Sequence, residues 1–233
     1  METKQAMRKI LAGEGGFTLI EIAIVMVIVG LLLGGVLKGQ EMIENGRVRN
    51  AISSLDGVTA AYNSYFDRYR RIPGDDGPIA TLTARGGNWA NVTQAGNSNG
   101  VILSNAGDTF TGGNENDNFW QHLRAAGFVS GDPNLAGGAS MPLNAFSGLT
   151  GITNDATIMT GPGTTGALAG NKVCLGRVPG KAAASIDAQL DDGVSNTGSI
   201  RATLGTAGTN TVPGAAVAPP YNEANEYTVC RTF

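Results

Sequence analysis

Three hydropathy regimes follow one another along the chain. Residues 1–16 are polar and carry Lys4, Arg8 and Lys9, ending in Gly13-Glu14-Gly15-Gly16. An apolar run begins at Phe17-Thr18-Leu19-Ile20-Glu21 and continues unbroken from Ile22 to Leu37. At about 1.5 Å per residue, helix from Phe17 to Leu37 is about 32 Å long, which matches a hydrocarbon core of about 30 Å. Beyond Leu37 the pattern turns amphipathic, with Val48, Ile52, Leu55, Tyr62, Tyr65, Phe66 and Tyr69 at mostly three- and four-residue steps. Pro73-Gly74 stops it. One helix is therefore predicted from about Phe17 to Arg71. It is too long for a compact domain of this size and suits a spine with an apolar half and a head-bound half.

From Pro73 onward the chain is rich in Gly, Asn and Thr with short apolar runs. Strands are predicted near Val101–Leu103, Ala156–Thr160, Lys172–Val178, Ile200–Leu204 and Glu226–Arg231. Two short helices are predicted, over Asn118–Ala126 and about Lys181–Leu190, and Gly205–Pro220 has the composition of a surface loop. The expected architecture is α+β: a long N-terminal helix over 17–72, its first part (17–37) apolar enough to cross a membrane, and a head over 73–233 with an antiparallel sheet laid on the amphipathic half of the helix.

The order of the first two regimes matters. An ordinary secretory signal is cut after its apolar run, whereas here the Gly pair precedes it. A cut after Gly16 removes a leader, residues 1–16, and leaves the apolar helix on the mature chain. Glu21 is the anomaly, because a carboxylate inside a membrane helix costs about 2.5–3.5 kcal/mol and calls for a partner. A new α-amine on Phe17 would lie one turn from it. Such a pair can form within one chain or between two chains offset along a common axis, where it would set their register. Snorkelling of Glu21 to the headgroups is the plainer alternative.

At these residues the sequence resembles the type IV pilin and pseudopilin superfamily, through Gly16-Phe17-Thr18-Leu19-Ile20-Glu21 and the apolar helix that follows. The resemblance covers about 35 residues closely. It implies cleavage between Gly16 and Phe17 by a prepilin peptidase, N-methylation of Phe17, and pairing of Glu21 with the N-terminus of a neighbouring subunit. The implied partners are membrane lipid before assembly, copies of the chain in a helical filament, an inner-membrane assembly platform and a separate ATPase. The implied location is the bacterial inner membrane, single-pass with the head outside the cytoplasm, and then an extracellular or periplasmic filament. A type II secretion pseudopilin, or a minor or tip subunit acting as an adhesion or binding module, is the alternative reading. The leader is longer than in many members. A proline common midway along the family's helix is missing, and Lys38 stands near its place. Gly30, Gly34, Gly35 and Gly39 could weaken the helix there at about 1 kcal/mol each, or allow close helix approach.

Composition narrows the remainder. Only 15% of the 233 residues are charged, 35 are Gly, and the net charge is −3, which suits a loop-rich exported domain and gives no global attraction to nucleic acid. Arg68, Arg70 and Arg71 fit a solvated helix end. Basic residues on the two sides of the apolar span balance, so charge alone does not orient it. The two cysteines, Cys174 and Cys230, lie in strand-like runs. They form either one disulfide, as export favours, or two buried thiols. With one histidine, His122, there is no zinc or haem ligand set. Asp75-Asp76 and the cluster Asp187, Asp191, Asp192 and Asn196 could hold Ca²⁺, but neither has EF-hand spacing and both suit turns or caps. No other cofactor is expected. Neither a P-loop nor a nucleophile elbow occurs, and a structural subunit rather than an enzyme is expected.

Overall fold

A computed structural model describes residues 16–161 and 166–233. The leader predicted over 1–16 lies, apart from Gly16, outside the described residues. The chain divides into two units, residues 1–44 and Asn45–Phe233. Helix α1 (Leu19–Tyr69) contributes to both.

In the first unit α1 starts on a reciprocal cap. The Thr18 N–H and Oγ1–H both donate to Glu21 Oε2 at 2.8 Å, and the Glu21 N–H donates to Thr18 Oγ1 at 3.3 Å. This is the Thr-x-x-Glu capping box, which satisfies donors that a helix start otherwise leaves free. Every apolar side chain from Leu19 to Leu37 is exposed, and the 18-residue stretch that is long and apolar enough to cross a membrane has none of its residues buried.

In the second unit the same helix presents Val48, Ala51, Leu55, Val58, Ala61 and Tyr65 as its buried stripe. Their three- and four-residue steps keep one face toward the core. Phe66, expected on that stripe, is 42% exposed, because one further residue turns it about 100° away from Tyr65. The helix ends at Tyr69, two residues before the expected Arg71. Arg70 sits at φ 52°, its N–H donating to the Phe66 carbonyl at 2.8 Å. A residue placed before Pro73 is pushed out of the helical region as well.

Four antiparallel strands pack in the order β1-β2-β4-β3: β1 (Thr150–Thr153), β2 (Lys172–Pro179), β3 (Ile200–Leu204) and β4 (Glu226–Thr232). With the long helix, this is the α+β architecture that the pattern predicted, and it matches the pilin-like fold that goes with the resemblance. The last three strands were legible. Strand β1 was not, since Thr150-Gly151-Ile152-Thr153 shows one large apolar residue and its glycine packs where a Cβ would strike the Thr109 carbonyl. Two predicted strands are absent. Val101–Leu103 gives its backbone donors to side chains, the Val101 N–H to Asn99 Oδ1 and the Leu103 N–H to Glu115 Oε2. Ala156–Thr160 is a turn in which Met159 adopts φ 54°, a left-handed conformation that lies outside the regular strand region.

Short helices complete the unit: α2 (Ile79–Thr83), α3 (Glu115–Ala125) and α4 (Gly180–Leu190). Helix α2 was not predicted, because five residues show no periodicity to read. Helix α3 starts three residues before the predicted Asn118, since the run Asn114-Glu115-Asn116-Asp117 looks like loop. Its acids suit a helix N-terminus. All eleven residues of α3 are buried. The core joins the α1 stripe to Phe119, Trp120 and Leu123 of α3, Ile152, Val173 and Leu175 of the sheet, and Ile186 of α4.

Candidate functional site: the N-terminal assembly segment

Gly16 and Phe17, the residues of the expected cleavage, lie just ahead of the helix and are exposed. A Cβ at Gly16 would meet nothing within 4 Å among the described residues. Glu21 is held by Thr18, which positions its carboxylate at the start of the apolar stretch. Sequence reasoning singled out Glu21 and passed over Thr18, although the Thr-x-x-Glu spacing was in plain view. The two residues act as a unit: the Glu21 carboxylate satisfies the amide and hydroxyl donors of Thr18 at the helix start through Oε2.

The comparisons bear on this segment. The prokaryotic N-terminal methylation motif matches residues 11–37. The long apolar helix begins inside the matched residues. The chain fits the type IV pilin and pseudopilin class. No curated protein matches the sequence. The pilin-type motif ends where the apolar stretch ends, so it speaks for the first unit and leaves the head to be read on its own geometry.

In the head, Cys174 and Cys230 are joined in a disulfide across directly paired positions of β2 and β4. The bond ties the strand near the C-terminus to the middle of the sheet, and both residues are fully buried.

Asp187, Asp191 and Asp192 bring carboxylate oxygens within 4.8 Å of one another. Their partners lie in the following loop, apart from Tyr221. Asp187 Oδ1 accepts the Gly193 N–H at 3.1 Å and Oδ2 accepts the Tyr221 hydroxyl at 2.6 Å. Asp191 Oδ2 accepts the Ser199 and Ile200 N–H groups, and Asp192 accepts the Val194 N–H and the Thr197 hydroxyl. A calcium ion takes about six to eight oxygen ligands, and these three carboxylates also accept hydrogen bonds from the 193–200 loop. These hydrogen bonds clamp the 193–200 loop. Burial pushes the Asp187 carboxyl above its ordinary range, with the Tyr221 hydroxyl opposing the shift. Burial and the Asp187 bond together push the Tyr221 phenol up.

A second polar cluster lies where the loop after α1 meets α3. Asp76 Oδ2 accepts the Tyr65 hydroxyl at 2.7 Å and an Arg85 N–H at 2.8 Å. The Arg85 guanidinium lies 4.5 Å from the ring centres of both Tyr69 and Trp89, a geometry in which cation–π attraction adds to the ion pair. His122 is fully buried. Its Nδ1 accepts the Gly74 N–H at 3.0 Å, so the proton sits on Nε2, which faces the Gln94 carbonyl at 3.2 Å. Burial lowers its pKa to about 4, and the ring is neutral at pH 7. The sequence placed His122 on a short helix as a polar position; the fold makes it a buried tie between two loops. The neighbouring carboxylates are structural too. Asp75 accepts the Asn99 and Gly100 N–H groups, and Glu115 accepts those of Asn97 and Leu103.

Proposed function

We propose that this chain is a structural subunit that is cut after Gly16, methylated at the new Phe17 amine, and polymerised through its apolar helix into a type IV pilus-like filament. One observation carries the reading: the methylation motif spans the start of a helix whose apolar side chains are exposed among the described residues. An apolar stretch of this length is stable in lipid or against copies of itself, and unstable in water. Before assembly it anchors the subunit in the inner membrane with the head outside the cytoplasm. On assembly it leaves lipid for a bundle of identical helices. There the Glu21 carboxylate, already oriented by Thr18, receives the Phe17 amine of a neighbour and fixes the stagger between subunits. The energy for extraction comes from a separate ATPase. A pilus is favoured over a secretion pseudopilin by the size of the head and its disulfide-closed C-terminal region.

The test is the mass of the N-terminal peptide from sheared surface filaments. A peptide that begins with methylated Phe17 is expected, and one that begins with Met1 refutes the reading.

A further inference from the structure

Two Asn-Gly pairs occur in the chain, Asn45-Gly46 and Asn99-Gly100. This dipeptide is prone to a reaction of its own: the amide nitrogen of the glycine can attack the side-chain carbonyl carbon of the asparagine, since glycine has no Cβ in the way. Asn45 lies within α1, where the helix directs the Gly46 N–H back toward the carbonyl four residues earlier. Asn99 lies in an exposed loop, and its surroundings differ in each group that the reaction uses.

The nucleophile is the Gly100 nitrogen, whose N–H donates to Asp75 Oδ2 at 2.8 Å. The electrophile is the Asn99 side-chain carbonyl, whose Oδ1 accepts the Val101 N–H at 2.9 Å. A second oxygen of the same carboxylate, Asp75 Oδ1, accepts the Asn99 N–H at 3.0 Å and holds the residue in place. Gly100 has φ +89°, and the space where a Cβ would stand is open. A carboxylate thus sits on the proton that must leave, and an amide donor sits on the oxygen where charge develops.

We propose that Asn99 is a self-modification site, at which the fold itself promotes conversion of the Asn99 amide to an acid. Asp75 takes the proton from the Gly100 nitrogen, which forms a bond to Asn99 Cγ. The Cγ–Nδ2 bond breaks, the nitrogen leaves with its electron pair and takes up the proton as ammonia, and a succinimide ring remains. Water then adds to either ring carbonyl and opens it to aspartate or isoaspartate, so one water enters for each ammonia lost. The new carboxylate stands on the loop whose amides hold Asp75 and Glu115, and it repels both. Modified subunits therefore have a loosened 97–103 segment.

The experiment incubates the full-length chain in detergent at mildly alkaline pH and follows amide loss by peptide mapping with fragment-ion sequencing. Asn45-Gly46 serves as the internal reference, and a urea-unfolded sample as the second. Native Asn99 is expected to convert at least about tenfold faster than native Asn45, and faster than Asn99 in urea. Replacing the base, Asp75→Asn, is expected to slow conversion by about tenfold or more in the folded chain. If native Asn99 converts more slowly than in urea, or no faster than Asn45, the proposal fails. An unchanged rate in folded D75N removes Asp75 from it. Should D75N not fold, the native-against-urea comparison still decides.

Discussion

Helix α1 holds two stretches with the same backbone and opposite surroundings. Between Leu19 and Leu37 every apolar side chain faces outward, Leu31 being 74% exposed; between Val48 and Tyr65 a stripe is sealed into the head, with Leu55 at 0%. The first stretch is apolar all round and the second on one side only. A helix apolar all round finds its partners outside its own chain, whereas an amphipathic one finds them within it. The contrast separates two tasks in one element: the second stretch serves the fold, and the first, in the function proposed above, serves the assembly.

The largest expected effect tests whether the first stretch works only between chains. Glu21→Ala should abolish filaments while membrane insertion and the melting of the head stay unchanged. Normal filament numbers on the cell surface would remove the carboxylate from assembly. Next, Leu55→Ala should destabilise the head by about 3 kcal/mol through the cavity it leaves, while Leu31→Ala should leave it unaltered. Urea unfolding of the full chain in detergent, read by near-ultraviolet circular dichroism, distinguishes them. Equal losses would break the comparison.

A pH effect of similar or smaller size belongs to the head alone. His122 titrates near pH 4 when folded, against an ordinary value of 6.5. Between those values the unfolded chain binds the proton and the folded chain does not, so stability falls as pH drops from about 6.5 to about 4. The shift sets an upper limit of about 3 kcal/mol. His122→Gln should flatten that part of the profile measured by thermal melting. The smallest effect sits at the C-terminal end of α1. Arg70 holds a left-handed conformation, so Arg70→Gly should stabilise the head by about 1 kcal/mol. A fall in melting temperature would show that the arginine side chain contributes more than its backbone costs.

The parts of this molecule that were legible in sequence are those where one pattern has one physical solution. The predominantly apolar stretch from Phe17 to Leu37 is unstable in water, and the Val48–Tyr69 periodicity has a helical face as its only regular arrangement. Strands β2, β3 and β4 are dense in Val, Leu, Tyr and Thr. The Gly16–Glu21 segment was equally plain, because its residues stand next to one another in the chain. Helix α3 was half-hidden, since its polar first turn is buried by partners as remote as Leu103 and Gly137.

Sequence by itself therefore determined the long helix, its apolar and amphipathic stretches, and the class of protein to which they point, because each follows from local periodicity and transfer free energy. Tertiary structure alone decided which polar residues go inside. Asp75, Asp76, Glu115, His122 and Asp187 look like surface residues one at a time, yet all are buried. Each could be buried only because distant backbone amides, Tyr65, Arg85 or Tyr221 supply the hydrogen bonds that water would otherwise give. Those partners converge only once the chain has closed, and no window of neighbouring residues contains them.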